Sequence, residues 1–338
     1  MSDEFLAAVV EKARTQAAIG SLRGEGVYDD DRSVFEASGE TVAIPVTETP
    51  TETQILKVIR EEGEPRLRTL ADHLQADGWT DDQIETAPSS WAVLGSVVLV
   101  EMGDAHDPEA VGEALLAMHG QADTVLSRGG IDGQHREPDV TVVAGEGDTE
   151  TVHREHGTEY AMDVAEVMFS PGNKAERARM GNVTTDGERV LDMFAGIGYF
   201  TLPIARAGAH VTAIERNPDS FQYLLENAMR NGVSDRVEPY RADNRDVLDS
   251  YDGEQFDRVV MGYYDAHEFL PEALSVLAPG GTLHMHEATP EALVPDRPVG
   301  RLDDAAAELG RSVEILDVRE VKGYSEGVVH VVVDVRVN

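Results

Sequence analysis

The sequence predicts an α/β chain in two parts. A doubly wound sheet occupies its C-terminal half, residues 161–338, and a smaller α+β domain, residues 1–160, precedes it. Three observations predict this. At 338 residues the chain exceeds the usual span of a single core. From about Val164, short β-branched runs alternate with amphipathic stretches, the pattern of strands joined by helices. The run Leu191-Asp192-Met193-Phe194-Ala195-Gly196-Ile197-Gly198 then sets a glycine turn between a strand and a helix.

In the first part, residues 3–18 carry Phe5, Val9, Val10, Ala13 and Ala17 and predict a helix. Residues 42–45 and 91–100 read as strands, the second a buried one interrupted by Gly95 and Ser96, and residues 55–60 lead into helical stretches. A helix is expected over 109–118. A loop-rich passage follows over 128–138, then strands near 140–143 and 151–155 with a hairpin turn at 145–150. In the second part, strands are expected at 189–194, 210–214, 237–241, 257–261 and 281–285. Helices are expected at 199–207, 220–231, 268–277 and 302–309. Residues 312–321 and 328–337 form a closing antiparallel hairpin. This order places a ligand site at the C-terminal ends of the strands.

Composition bounds the function. Asp and Glu total 64 against 28 Lys and Arg, a formal net charge of −36, and only Lys12, Lys57, Lys174 and Lys322 are lysines. In dilute buffer such a chain repels itself and rejects nucleic acid. In molar salt the Debye length falls to about 3 Å and surface carboxylates stop repelling one another. Because the acid is spread along the chain, we read it as an adaptation to a cytoplasm rich in KCl, where net charge does not exclude RNA. The chain has no cysteine, no apolar run long enough for a membrane span and no signal-like start, so a cytoplasmic protein is expected.

The glycine turn alone would also serve a dinucleotide. A third glycine would be needed for that, and Thr201 stands in its place. Asp192, closing the first strand, suits a cationic ligand. Glu215 ends the second strand 19 residues after Gly196, where a carboxylate can hold two ribose hydroxyls. Asp243 and Asn244 follow the third strand, where they can hold an adenine edge. Together with Phe194 and Gly198 these residues predict a site for S-adenosylmethionine (AdoMet); the alternative is a plain turn beside surface acids. No histidine, Asp or Glu spacing suggests a metal.

Longer motifs carry a resemblance. Glu155-His156-Gly157, Val167-Met168-Phe169-Ser170-Pro171 with Glu176-Arg177, the run DMFAGIGYFTLPIA from Asp192, ADNRD from Ala242 and GVVHVVVDVRV from Gly327 cover roughly residues 150–338. They resemble the tRNA position-37 family of guanine-37 N1-methyltransferases and wyosine aminocarboxypropyltransferases. The methyltransferases carry Asn-Leu-Pro at the end of the fourth strand. Here Met261-Gly262-Tyr263-Tyr264 stands there, similar to the aminocarboxypropyl branch, and His284 and His286 match that branch's His-Tyr-His with Met285 at the centre.

The resemblance implies a class I methyltransferase-type Rossmann domain that moves the 3-amino-3-carboxypropyl group of AdoMet to C7 of 4-demethylwyosine in the anticodon loop of tRNA(Phe). No obligate protein partner is implied. It further implies that Ser170 and Arg177 lie near the cofactor, with a helix cap and a surface arginine as the bland alternatives. His267, His286 and Glu188 are candidate proton acceptors, or simply packing and turn residues. Tyr263 and Tyr264 could stack on the acceptor base or only pack. Lys174, Arg177 and Arg179, with Arg216, Arg230, Arg241 and Arg245, could contact RNA or merely pair with surface acid. Guanine-37 methylation, a non-catalytic RNA-binding protein with this fold and a small-molecule methyltransferase stay open as rivals.

Overall fold

The computed structural model describes residues 3–63, 66–132, 137–251 and 255–338. The chain divides into two compact units, residues 1–84 and 85–338. The boundary expected at 160/161 therefore falls inside the larger unit, within a strand.

The smaller unit is an antiparallel sheet with helices. Strand β1 (Asp3–Glu11) lies between β3 (Thr41–Val46) and β4 (Lys57–Gly63), with β2 (Phe35–Ser38) outside β3. Helix α1 (Thr15–Glu25) buries Ala18 and Leu22 against Ala8, Val10 and Ile44. The opposite face of the sheet joins Ala7, Val9 and Ala43 to Phe5 and Phe35. Helix α2 (Leu70–Ala76) starts with a capping box of Thr69 and Asp72, and α3 (Asp81–Ile84) ends the unit.

Two expectations fail here. Residues 3–11 are a central strand, because a continuous apolar run buried on both faces has no period that separates strand from helix. Residues 57–63 likewise form β4.

In the larger unit, β5 (Trp91–Leu94) and β6 (Val97–Val100) are a hairpin turning at Gly95 and Ser96, where one long strand was expected. β7 (Thr124–Asp132) and β8 (Glu137–Gly145) complete the sheet β5-β6-β7-β8, with α4 (Pro108–Met118) packed on it. The expected loop at 128–138 is thus mostly strand, and residues 133–136 lie outside the described residues. Residues 145–150 link two sheets and do not turn a hairpin, since β8 pairs with β7 and β9 (Glu150–Glu155) pairs with β10 (Thr158–Asp163). The β9–β10 turn has positive φ at both His156 (48°) and Gly157 (78°), as a two-residue type I′ hairpin requires.

The large sheet has the order β13-β12-β11-β14-β15-β17-β16. Its strands are β11 (Arg189–Asp192), β12 (His210–Ile214), β13 (Val237–Tyr240), β14 (Phe256–Met261), β15 (Leu277–Pro290), β16 (Val313–Ser325) and β17 (Val328–Val337). The first five run parallel, and β17 joins β15 and β16 antiparallel. The helices are α5 (Lys174–Val183), α6 (Thr201–Arg206), α7 (Pro218–Arg230), α8 (Asn244–Leu248), α9 (Leu270–Val276) and α10 (Asp296–Glu308).

Alternation splits the core between the two faces. Val190 and Val260 pack with α6 and α7, whereas Leu191, Val259 and Met261 pack with α9 and α10. Asn227 on α7 ties the β9–β10 hairpin to the glycine turn. Its Nδ2 donates to the carbonyls of Ala161 and Ile197 at 3.0 Å each, and its Oδ1 accepts the Ala161 N–H at 2.7 Å.

Candidate active site

The cavity opens where the parallel strands end. After β11 the chain turns through Gly196, whose φ is 55° and where a Cβ would sit 2.2 Å from the Tyr199 ring, so only glycine is accommodated. Gly198 faces Leu202 and Leu224 in the core and not the cavity.

Asp192 is fully buried and does not line the cavity. Its carboxylate accepts the Thr201 hydroxyl (2.7 Å), the Thr201 N–H (3.1 Å) and the Phe194 N–H (3.3 Å). Burial pushes the carboxyl up to about 6 against those three donors. This corrects the expectation that Asp192 meets a cationic ligand: its carboxylate is committed to shaping the turn.

Glu215, just past β12, does line the cavity. It accepts the Gly196 N–H at 2.8 Å and the Asn217 N–H at 2.7 Å, so the acid and the glycine turn hold each other in place. Burial raises its pKa, opposed by these backbone donors. Asp243 caps α8 by accepting the Arg245 N–H at 3.0 Å and stands 3.7 Å from Arg216. Asn244 reaches the Met193 carbonyl at 3.5 Å, and its buried Oδ1 has no partner. Phe194 stacks on Tyr263 with centroids 5.1 Å apart and meets Phe269 edge-on at the same distance. A carboxylate for a vicinal diol, an unpartnered amide oxygen for an exocyclic amine and aromatic faces suit the adenosine part of a ligand such as AdoMet.

The other side of the cavity is built from distant segments. Ser170 caps no helix with its side chain; its Oγ accepts Lys322 Nζ from β16 at 2.6 Å. Arg177 is buried and is no surface arginine. Its Nε and Nη2 donate to Glu155 at 2.7 and 2.9 Å, Nη1 donates to the Ser170 carbonyl at 2.9 Å, and the guanidinium lies 4.5 Å from the Phe169 centroid. Although burial opposes it, bonds from His153 and Arg177 hold the Glu155 carboxyl down at about 2. The bidentate partner expected from the ligand is therefore Glu155 of the fold itself. Arg177 still lines the cavity, with two of its five N–H groups outside these bonds.

Adjacent tyrosines diverge. Tyr263 packs on Phe194, while Tyr264 meets Tyr324 (4.8 Å) and His330 (4.9 Å) edge-on. His286 and His330 line the cavity as a hydrogen-bonded pair.

Other expected residues lie elsewhere. Glu188 precedes β11 at the sheet's opposite end, bonded to Arg258 (2.9 Å) and to the Thr185 N–H (3.0 Å), because strand starts cannot reach a site at strand ends. His267 sits in the turn before α9 and is not a lining residue. His284 points the same way from the sheet as His286 but lies one step deeper. Arg258 donates to its Nε2 at 2.6 Å, which leaves Nδ1–H to donate to Asp334 at 2.6 Å. Met285 packs in the opposite core, as alternation requires.

Arg179 is paired with Asp334 at 2.5 Å, and Arg245 with Glu272 at 2.9 Å while covering Phe269 at 4.2 Å. Both of these expected RNA contacts are thus paired with acids of the fold. Lys174 is exposed at the start of α5. Among the described residues no group of three or more histidine or acidic side chains is arranged to hold a metal.

Sequence reasoning missed Phe269, Lys322 and His330. A lone histidine within the valine run 328–335 was the available signal for His330.

Comparison with known proteins agrees with this architecture. Residues 151–316 match a family model described as the TRM5/TYW2 methyltransferase domain, and residues 70–149 one described as the TYW2 N-terminal domain. The tRNA(Phe) (4-demethylwyosine(37)-C(7)) aminocarboxypropyltransferase of Pyrococcus horikoshii is 42% identical over 262 residues, 76% of this chain and 92% of that protein. The crystal structure of P. horikoshii TYW2 in complex with MeSAdo superposes with a TM-score of 0.67 at 38% identity, covering 78% of this chain and 96% of that one. Trm5b from Pyrococcus abyssi superposes with a TM-score of 0.74 at 28% identity over 99% of both chains. Sequence, fold and cavity placement agree: this chain belongs to the TRM5/TYW2 family.

Proposed function

We propose that this chain transfers the 3-amino-3-carboxypropyl group of AdoMet to C7 of 4-demethylwyosine at position 37 of tRNA(Phe), releasing 5′-methylthioadenosine. The observation that carries the reading is 42% identity across 92% of a relative named for that reaction. When bound, AdoMet supplies a sulfonium leaving group and the electrophilic carbon. The protein's task is then mainly alignment.

Glu215 holds the ribose hydroxyls, Asp243 and Asn244 hold the adenine edge, and Phe194 and Phe269 cover its faces. Gly196 lets backbone approach the ligand closely. Ser170, the remaining N–H groups of Arg177 and the nearby Lys322 receive the amino-acid end. Which sulfonium substituent faces the acceptor decides the product, so the methyl group is turned away from the acceptor base, which Tyr264 flanks.

Residues 1–160, which span the smaller unit and the first part of the larger one, supply the tRNA-contacting surface, and Lys174, Arg216 and Arg241 contribute local cations near the anticodon loop. No obligate protein partner is needed. Among the described residues no helix is long and apolar enough to cross a membrane. The charge of −36 supports work in a cytoplasm of molar salt, so thermal stability should rise as KCl is raised from dilute to molar concentration.

A second reading, methyl transfer to guanine-37 N1, draws on the superposition with Trm5b over 99% of both chains. Against it, Met261-Gly262-Tyr263-Tyr264 stands at the end of β14, without the Asn-Leu-Pro of that branch. AdoMet labelled separately in its methyl and carboxypropyl groups separates the two. Carboxypropyl label in tRNA(Phe) carrying 4-demethylwyosine is the expected result. Methyl label in unmodified transcript would replace the first reading with the second.

A further inference from the structure

His286 on β15 and His330 on β17 are diagonal neighbours: His286 lies opposite Val332, and His330 opposite Ala288. Nδ1 of His286 and Nε2 of His330 are 3.0 Å apart, with ring centroids separated by 5.0 Å. Both residues are buried, 1% and 0% exposed, yet both line the cavity. Their outer nitrogens, Nε2 of His286 and Nδ1 of His330, have no hydrogen-bond partner. Buried polar atoms without partners destabilise a fold, and two in one pair call for an explanation.

The surroundings keep the pair uncharged. Burial, then Arg319 and His284, push His286 down to about 3 against the pull of Asp334. Burial, then His286, Lys322 and Arg319, push His330 down to about 3 against Glu176. Two neutral imidazoles share one hydrogen. Whichever tautomer holds, the outer nitrogens present one N–H and one lone pair. Phe200 and Tyr264 wall the pair at 5.2 and 4.9 Å. Such a site favours a flat neutral heterocycle over an anion.

Resting on the aminocarboxypropyl-transfer reading, we propose that the His286–His330 pair accepts the proton released by the acceptor carbon of the base. In the reaction a π pair of the base forms the bond from that carbon to the γ-carbon of AdoMet. The γ-carbon–sulfur bond breaks with its electrons staying on sulfur. The carbon–hydrogen bond then breaks, its electron pair restoring the π system, and the proton goes to the outer lone pair of the histidine pair. The shared hydrogen can shift between the rings, so the single positive charge is distributed over both before the proton returns to water. A weak base is sufficient, because the proton leaves a cationic base.

The test uses the full chain and tRNA carrying hydrogen or deuterium at the acceptor carbon. His286→Asn keeps a polar group near the Nδ1 position and deletes the outer nitrogen; His330→Gln does the same near Nε2. The double variant is expected to lose on the order of 10²-fold in kcat with the KM for AdoMet unchanged. It should also show a primary isotope effect larger than that of the wild type, which a packing role would not produce. An unchanged isotope effect and unchanged kcat would overturn the proposal.

Calorimetric AdoMet binding separates lost chemistry from lost fold, and the same isotope comparison is made on His286→Asn alone where the double variant does not bind. If the wild type transfers no carboxypropyl label, the functional reading has failed and this proposal falls with it. Transfer by the wild type with unaffected variants sinks the histidine pair alone.

Discussion

The cavity has two sides built on different plans. The side toward β12 and β13 is made from turns directly after parallel strands, with Gly196, Glu215, Asp243 and Asn244 each one short step from a strand end. The side toward β15 and β17 gathers Ser170, Tyr264, His286 and His330, which are scattered across more than 150 residues of chain, with Lys322 bonded to Ser170. The first side is held by backbone: Glu215 accepts main-chain N–H groups, and Asp192 closes the turn behind it. The second is held by side chains, with Arg177 on Glu155 and Lys322 on Ser170. Any nucleoside-bearing ligand can use the first plan. In our reading, selectivity for the acceptor and for the group transferred rests with the second.

The comparison can be broken most severely from behind the first side. Asp192→Ala leaves three donors unpartnered in full burial, so unfolding in molar KCl should show a loss of about 3 kcal/mol or more. A loss under about 1 kcal/mol would mean that the turn does not depend on this carboxylate.

Next, Glu215→Gln weakens a charged acceptor of two backbone donors and, in our reading, of the ribose. Calorimetry should find AdoMet bound roughly 10- to 100-fold more weakly. The same substitution should leave the isotope effect untouched, which keeps the two sides separable.

A third prediction concerns pH. His286 and His330 are held near 3 in the folded chain, below the ordinary histidine value of 6.5. Between those values the unfolded chain binds protons that the folded chain does not. The stability these residues contribute is therefore present above about pH 6.5 and is lost as pH falls, by up to about 1.4 kcal/mol per histidine per pH unit. The double variant His286→Asn, His330→Gln should flatten that slope. An equal slope in both proteins would show that the pair titrates normally.

The smallest effect is expected at Asn244. Its Oδ1 is buried without a partner, so Asn244→Ala should cost AdoMet affinity roughly 3- to 10-fold with little loss of fold stability.

The legibility of the molecule follows the same division. Strand and helix alternation after Val164 showed in the sequence because each parallel strand and its helix are neighbours in the chain. The β12 and β17 bounds match the expected ones at 210–214 and 328–337. The N-terminal part was harder to read. The apolar run of β1 is buried on both faces, and the hairpin β5–β6 hides its turn inside one hydrophobic stretch.

At the cavity, Glu215, Asp243 and Asn244 were readable from spacing alone. Asp192 stood at the right position, yet its carboxylate turns inward, which no spacing reports. Glu188 and Arg177 acquired partners, Arg258 and Glu155, that are 70 and 22 residues away.

By itself, then, the sequence determined the doubly wound sheet, the glycine turn and the acids at successive strand ends, because local periodicity and short spacing encode them. Only the tertiary structure decided which charges are neutralised and which face the cavity. It also decided that His330 meets His286. Antiparallel pairing of β17 with β15 sets that meeting, and a register shift of one residue would turn His330 to the other face of the sheet.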